Sequence, residues 1–342
     1  MEKVCMTSPN CTGCGSFLTY SPTHQKLCCT HCGSTKEITS KPAQNLLKPY
    51  SSAYAITQSP NEDRHYECAT CGSVVIIEDD QPKRCPSCGD HSLTEKRKGV
   101  FIPDGLLPFT LSPEQATSNF KNWIKKRKFA PTNLKKLARL GKISGMFVPA
   151  WSHNFTLSGS YLGEVSWEEQ INKDKSITRR RSVSGPINET FNDVYASGST
   201  QVSSATINAL APFLHQSAQE FASEYLLGFS GLDTDENAHT AHSQMIQQTK
   251  QKLENDLRSD LGRGKYRVEW LNLNVIPQNQ TLRYLFVPIY ASHYTYKKKK
   301  YHTYINGQTG TVTGKAPKSF WKIFGLVVGI VALVAGLAYL LS

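Results

Sequence analysis

The chain has 342 residues, 39% of them hydrophobic, and a formal net charge of +12. This composition excludes a chain too polar to build a packed core, and the length is enough for roughly two or three domains. The positive charge is concentrated, because twelve Lys or Arg residues lie between Lys96 and Lys142 against two acids, Asp104 and Glu114. Such a stretch is typical of a solvated helix face, and it also fits an anionic lipid surface or a nucleic acid.

The N-terminal cysteines form a repeated pattern. All ten cysteines precede residue 90, and eight of them form four Cys-x-x-Cys-Gly units: Cys11 with Cys14, Cys29 with Cys32, Cys68 with Cys71, and Cys85 with Cys88. Two intervening residues let both thiolates of a unit face one ion, and the following glycine permits the turn. The units pair at spacings typical of zinc sites, which predicts one zinc ribbon over residues 1–37 and another over residues 63–95.

The predicted cofactor is therefore two structural Zn²⁺ ions, one in each ribbon. Four thiolates complete a tetrahedral site and leave no position for water or substrate. Disulfides are the alternative, but Met1 to Tyr20 contains no apolar segment of a signal peptide, so we expect a cytosolic body with reduced thiols. Cys28 is an alternative ligand to Cys29, and residues 38–62 are predicted to be a linker.

A basic helical hairpin is predicted over residues 96–145. The sequence from Ser112 to Gln115 has the pattern of a capping box with proline at the first helical position, and Pro131 ends this helix. A second helix begins at Thr132 and ends at Gly141. Near the end of the first helix lie four candidate contacts for an anionic partner: Lys125, Lys126, Arg127 and Lys128.

The next segment, residues 146–316, is predicted to be a mixed α+β body with an internally repeated strand unit. Phe147 to Trp151 and Phe286 to Tyr290 share Phe-Val-Pro and a following aromatic residue, and each copy leads to Ser-His. We expect the two copies to share a sheet and to be followed by reverse turns, at Ser158-Gly159 in the first copy. Each proline is predicted at an edge or bulge, because it cannot donate to a ladder. Coincidence is the alternative for so short a match.

Further elements of the body follow from periodicity. Strands are predicted at Tyr161 to Trp167, Ser176 to Val183, Phe191 to Tyr195 and Tyr266 to Val275, and helices at Ser203 to Leu210, Gln216 to Leu227 and Thr234 to Leu261. His239 and His242 share a helix face, but no acidic residue stands at a metal-motif spacing from them. The sequence has no P-loop, His-Glu-x-x-His or Gly-x-Ser-x-Gly motif. We therefore predict no catalytic residues and no enzymatic activity.

The C-terminal residues 320–341 are predicted to be a single transmembrane tail anchor. Ile323 to Leu341 carries no charge and, as a helix, reaches about 28 Å. A buried core helix is the alternative. One helix face carries a stripe of small residues predicted to pack against a second membrane helix, in a partner or in another copy of the chain: Gly325, Gly329, Ala332 and Gly336.

Several motifs together resemble the YdjG-like bacterial zinc-ribbon membrane proteins. They are the paired Cys-x-x-Cys-Gly ribbons, the helix start at Leu111 to Gln115, Phe129-Ala130-Pro131, Val148 to Trp151, and Tyr304 to Gly310. The resemblance touches most of the chain, and its Asn-Gly-Gln-Thr-Gly hairpin is more distinctive than the cysteines. It implies TFIIB-type ribbons, a bacterial inner-membrane protein with a single span and a cytoplasmic body, and partners of the SPFH-domain or PspA type. Such proteins are often labelled primosomal protein N′ (replication factor Y) helicases, although the ATPase motifs are absent here.

Two functions from different classes are consistent with these features. The first is a membrane-anchored zinc-ribbon adaptor or scaffold in the membrane-stress response or in membrane organisation. The second is a membrane-tethered nucleic-acid-binding protein of the replication or helicase-accessory type, without ATPase activity of its own. The adaptor is favoured, because a nucleic-acid ribbon usually carries basic and aromatic residues on its own hairpin, whereas Val74 to Asp80 is apolar and acidic.

Overall fold

The computed structural model describes residues 10–50, 64–68, 74–77, 93–96, 103–131, 143–172, 175–232, 234, 238–296, 299–317 and 319–341. For 64–68, 74–77 and 93–96 the description is of the backbone. The first sheet is a small antiparallel one, formed by β1 (Leu18–Ser21), β2 (Lys26–Cys29) and β3 (Thr35–Lys36).

The second sheet contains the remaining strands: β4 (Lys48–Pro49), β5 (Arg64–Cys68), β6 (Val74–Ile77), β7 (Leu93–Lys96), β8 (Gly105–Leu106), β9 (Ile143–Asn172), β10 (Lys175–Ser197), β11 (Ser230–Gly231), β12 (Arg267–Tyr296), β13 (Lys299–Asn306) and β14 (Val312–Gly314). Its order is β14-β13-β12-β9-β11-β6-β5-β7, with β10 paired to β9, and with β4 and β8 paired to β12. The β9–β12 pair is antiparallel and runs from Ile143 opposite Ser292 to Ser166 opposite Arg267.

Four helices are described: α1 (Pro113–Lys125), α2 (Ser204–Leu210), α3 (Ala238–Leu261) and α4 (Phe320–Leu341). Helix α1 begins with the predicted capping box, in which the Ser112 side chain accepts from the Gln115 amide and the Gln115 side chain accepts from the Ser112 amide. The predicted helix over Gln216 to Leu227 is replaced by two short 3₁₀ turns, His215–Ser217 and Ser223–Leu226. The Gln219 amide donates to Leu106 O and Gln219 O accepts from the Leu106 amide, so this backbone belongs to a strand contact instead of a helix.

The two Phe-Val-Pro copies lie side by side on β9 and β12. Val148 is directly opposite Val287, and each Pro is opposite the Phe of the other copy. The two copies also have matching neighbours. The two-residue strand β11 runs parallel to Met146 and Phe147 of β9, and the two-residue strand β8 runs parallel to Leu285 and Phe286 of β12. Each copy is therefore half of a pseudo-two-fold arrangement about the Val148–Val287 pair.

The prolines occupy the point at which the outer neighbour of each long strand changes. On β9, the parallel strand β11 pairs as far as Phe147, and the antiparallel strand β10 pairs from Ala150 onward. On β12, the parallel strand β8 pairs as far as Phe286, and the antiparallel strand β13 pairs from Ile289 onward. The expected edge or bulge position was wrong, because both strands are interior. Neither proline needs to donate a hydrogen bond to an outer strand, because no strand in the described part of the chain pairs with its outer side.

Beyond the body, β9, β10 and β12 continue as a three-stranded extension, which we call the arm (residues 154–172, 175–192 and 267–281). At about 3.3 Å per residue it is roughly 60 Å long. Helix α3 covers one face of the arm, where Ala241 and Met245 pack in one cluster with Phe155, Leu157 and Val275. The opposite face, which we call the open face, carries exposed side chains such as Leu162 and Ile276.

The predicted α+β fold class is wrong, because the described chain is mostly β-sheet with few helices. Strand β9 runs through Ser158-Gly159, where a reverse turn was expected. A side chain at Gly159 would overlap the backbone of Asn274 on β12. This glycine therefore permits a close approach of two strands and does not mark a chain reversal.

The predicted membrane anchor is also corrected. Within the described parts of the chain, no helix meets both the length and the apolarity needed for a membrane span. The predicted location, a single-pass protein of the inner membrane, and the predicted partners that depend on the span are therefore wrong. Partners of the SPFH or PspA type are likewise not indicated.

The hairpin that follows β13 is packed too tightly to accept a side chain at Gly307. An added Cβ would overlap the Phe109 ring and lie 3.0 Å from Pro288 Cβ. We expect Gly307→Ala to lower the free energy of unfolding by about 1–3 kcal/mol through overpacking, measured by denaturant unfolding. Gly325→Ala is the control, because nothing lies within 4 Å of its added Cβ. Equal stability of Gly307→Ala and wild type would contradict this packing.

Candidate metal centre

Four cysteines of the first ribbon converge on one point. Cys11 and Cys14 precede β1, while Cys29 ends β2 and Cys32 precedes β3. The Sγ atoms of Cys11 and Cys32 are 3.4 Å apart, those of Cys14 and Cys29 are 3.5 Å apart, and all four lie within 4.8 Å of one another. Thiolates at about 2.3 Å from a tetrahedral ion are roughly 3.8 Å apart. The four cysteines are therefore close enough to bind one metal ion.

The two knuckles have matching backbones. Gly15 and Gly33 each follow the second cysteine of a unit with φ of 71° and 76°, a left-handed conformation that favours glycine. The Gly15 amide donates to Cys11 O at 2.8 Å, and the Gly33 amide donates to Cys29 O at 3.0 Å. These turns bring the two thiols of each unit to the same side.

Polar neighbours favour thiolates at two of the four positions. Hydrogen bonds from Ser34 lower the pKa of Cys32 to about 6, and the Gly13 amide lowers the pKa of Cys11. At Cys14 the Ser16 amide acts in the same direction, but burial and the other three thiols outweigh it and raise its pKa to about 12. Once one thiolate has formed, its negative charge opposes ionisation of the three neighbouring thiols, so a cation is what would let all four ionise together.

The ribbon is fastened to the body and is not a separate module. The Tyr20 amide donates to Leu227 O at 2.9 Å, and the Tyr20 hydroxyl donates to Phe109 O at 2.9 Å. The Tyr20 ring also contacts the rings of Tyr225 and Phe229. Cys11 and Cys29 are buried in the same hydrophobic cluster as Phe109. The four-cysteine cluster therefore lies next to the contact between the ribbon and the body.

Other predicted ligands are placed differently. Cys28 faces away from the cluster, with its Sγ 4.0 Å from Lys26 O, so Cys29 supplies the ligand. Of the second ribbon, the side chain of Cys68 and the residues Cys71, Cys85 and Cys88 lie outside the described residues. The described residues thus bring together one set of four cysteines close enough to bind a metal ion, and a second such set is not shown.

The predicted anionic-partner contacts lie together at the end of α1. Lys125, Lys126, Arg127 and Lys128 are all exposed. The Arg127 guanidinium stacks 4.5 Å from the centre of the Trp123 ring. Next to them, Lys322 of α4 donates to Ala130 O at 2.7 Å and Ser319 donates through its amide to Phe129 O at 2.8 Å. The start of α4 is therefore joined to the chain that follows α1.

The small-residue stripe of α4 contacts nothing in the described chain. An added Cβ at Gly325, Gly329 or Gly336 has no heavy atom within 4 Å, and Ala332 is exposed. Because the membrane span is contradicted, the stripe loses the setting in which helix packing was predicted.

Two polar groups, one partly exposed and one buried, could not be predicted from the sequence. At a bulge in β10, Asp193 accepts from Arg283 and from Ser152, and its carboxylate lies 3.4 Å from His215 Nε2. The Tyr195 hydroxyl is 2.6 Å from the same nitrogen. Burial and the Arg283 charge lower the pKa of His215 to about 4, so this imidazole is neutral at pH 7. The positive φ of 53° at Asp193 re-aims its side chain, which no periodicity reveals.

The second missed group joins α3 to the sheet. His242 Nδ1 and His153 Nδ1 are 3.3 Å apart, and both side chains are buried. Burial lowers the pKa of His153 to about 3 and that of His242 to about 4, so the pair is neutral. His239 is exposed instead, so the two helix histidines do not form a site together. In the described chain, the only set of three or more Cys, His, Asp or Glu placed to share a metal is the cysteine cluster.

Comparison with known proteins finds one similar chain of full length. The protein is 24% identical over 329 residues to the uncharacterized protein YdjG of Bacillus subtilis (strain 168), and the match covers 94% of each chain. This similarity supports the resemblance stated above, but it does not extend to the zinc-ribbon or primosomal labels. No family model and no solved structure matches the chain.

The cluster predicts a specific effect on metal content. Cys14→Ser removes an exposed ligand with little loss of packing, so we expect the full chain to bind one metal ion fewer than wild type. Cys28→Ser is the matched control, and we expect it to retain the full content. Elemental analysis after dialysis measures both. Equal metal content in Cys14→Ser and wild type would rule out the four-cysteine site.

Proposed function

We propose that this protein is a non-enzymatic adaptor that binds a protein partner through the open face of its arm. The observation that carries the proposal is the unequal covering of the arm. Helix α3 buries one face, and among the described residues no element covers the other. Leu162, Ile276 and Trp270 are 53%, 59% and 44% exposed there. Apolar side chains held on a rigid, uncovered sheet are typical of an interaction surface.

The four central rows of the open face, at Thr156, Ser158, Ser160 and Leu162 of β9, carry no charged side chain, which fits the same role. Ser158 and Ser160 of β9 lie between Asn188 and Pro186 of β10 and the paired residues of β12. Hydroxyl, amide and apolar groups mixed in this way can be desolvated against a partner without burying an unpaired charge.

We further propose that the metal is zinc and that its role is structural. Four sulfur ligands in a tetrahedral arrangement suit Zn²⁺, and they leave no open coordination position for chemistry. The ion would hold the knuckles together and so keep Tyr20 against the body. A second zinc ion at Cys68, Cys71, Cys85 and Cys88 is proposed from their spacing alone.

Site-specific photocrosslinking tests the adaptor proposal. A photoreactive amino acid at Leu162, and separately at Ile276, should give the same specific adducts in cells, because both positions face one partner. The control is Gln248, an exposed residue on α3, which should not give those adducts. Finding no adducts at the open-face positions beyond those at Gln248 would exclude the open face as a binding surface.

A second candidate function, nucleic-acid binding, is favoured by the cations at the end of α1. Arg127 stacked on Trp123 combines charge with an aromatic ring, as single-strand-binding surfaces do.

If this candidate is correct, the full chain should bind DNA or RNA with an affinity that falls steeply with salt concentration. Changing Lys125, Lys126, Arg127 and Lys128 to Gln should weaken binding regardless of sequence. Changing Arg179 and Arg181 of β10 instead is a control for nonspecific charge. Fluorescence anisotropy measures both, and no binding at low salt would remove this candidate.

A further inference from the structure

We propose that the partner on the open face is a second copy of the same chain, bound face to face through the arms. This inference rests on the proposed function and names the partner of that surface. It gives the protein a two-fold dimer in which the open faces cover each other.

The composition of the open face suits its own copy. Strand register defines four cross-strand rows, from Thr156–Thr190–Gln278 to Leu162–Ser184–Asn272. No side chain of these rows is charged, although 19% of the whole chain is Asp, Glu, Lys or Arg. A charge-free surface offers nothing to attract a strongly charged partner, and it does not repel an identical surface.

Two of the charged side chains that border these rows are complementary under a two-fold rotation. Arg180 of β10 lies opposite Ser166 on the side of the tip; its guanidinium is 3.9 Å from the Glu164 carboxylate, and its side chain is 65% exposed. Asp193 of β10 is bonded by Ser152 on the side of the body, and its side chain is 42% exposed. Ser166 and Ser152 are equally far along β9 from residue 159, the centre of the charge-free rows.

A two-fold axis lying across the strands at residue 159 therefore pairs opposite charges. This rotation reverses the strand direction and places β10 of one copy over β10 of the second. Arg180 of each copy then faces the Asp193 carboxylate of the other. The same rotation lays the four neutral rows over one another, which is the self-complementarity that a two-fold interface requires.

The size of the surface indicates a weak, reversible dimer. Three strands about 4.8 Å apart and four rows about 6.6 Å apart cover roughly 350–400 Å² of flat area per copy. Exposed side chains at the border, including Trp270, add to it. Such an interface is smaller than those of stable complexes and falls in the size range of weak, transient contacts, so the dimer should dissociate on dilution.

Sedimentation velocity of the full chain over a range of concentrations tests the dimer. We expect wild type to shift from monomer to dimer as concentration rises. Leu162→Asp should weaken the dimer at least tenfold, because two buried carboxylates would face a neutral surface. Leu162 is exposed, so the variant should fold. Gln248→Asp adds the same charge on α3 and should associate as wild type does.

A second variant tests the geometry. Ser160→Cys places a thiol about one residue from the proposed axis, so a short bismaleimide crosslinker should join the thiols of two copies, whereas Gln248→Cys should give no added crosslink. Wild type that stays monomeric, an unchanged dimer in Leu162→Asp, or no added crosslink in Ser160→Cys would each overturn the proposal.

The photocrosslinks separate this inference from the proposed function. Adducts with the mass of two chains support both. Adducts with a different protein, from a chain that is monomeric in solution, overturn the dimer and leave the adaptor. An absence of adducts together with a monomer overturns both.

Discussion

The antiparallel pairing of β9 with β12 is the constraint on which the rest of the structure depends. The ladder places Val148 against Val287 at its pseudo-two-fold centre and carries both strands out of the body into the arm. On either side of the centre, Gly198 donates to Pro149 O and Gly307 donates to Pro288 O, both at 2.8 Å. The same hydrogen bond thus turns the chain away from the sheet at two equivalent places, so a single strand pair organises both halves.

The hairpin after β13 contains one of these two turns, and its side chains also hold other segments of the chain in place. Asn306 donates to Leu210 O and Pro212 O, while Gln308 donates to Ser217 Oγ and accepts from the Leu214 amide. Thr110 and Leu111 donate through their amides to Gly307 O. These hydrogen bonds join the hairpin to two other segments of the chain, and each buried polar group would cost about 1–3 kcal/mol if it were left unpaired. The Asn-Gly-Gln sequence is therefore fixed by its neighbours as well as by its turn.

Local chemistry could be predicted from the sequence, whereas long-range pairing could not. The capping box at Ser112 and the cysteine knuckles depend on residues three or four positions apart, and the structure contains both. The α+β balance and the membrane span were wrong. Gly159 was predicted to lie in a turn, but a glycine is needed there because the backbone of Asn274 on β12 leaves no room for a side chain. Asn274 is more than a hundred residues away in sequence, so this contact could not be predicted. The repeat indicated a shared sheet, but not that its two copies pair with each other.

The candidate surfaces divide in the same way. Periodicity and spacing identified the four cysteines, since ligands in a knuckle are close in sequence. The open face could not be found, because its character appears only when β9, β10 and β12 are placed side by side. Asp193 and Arg283 were missed for a related reason: a bulge decides where the aspartate points, and a bulge leaves no periodic signal.

The crossing of the two halves has a consequence for how the chain is made. Strand β8 precedes the first half but pairs with β12 of the second, and β11 of the second half pairs with β9 of the first. Each half therefore takes the parallel partner of its long strand from the other half. The ribosome must add about 150 residues after the start of β9 before its partner is present, which takes roughly 10–30 s at usual rates of synthesis. During that interval β9 and β10 can form only a long hairpin whose two outer edges are both unpaired, a species that can bind chaperones or aggregate.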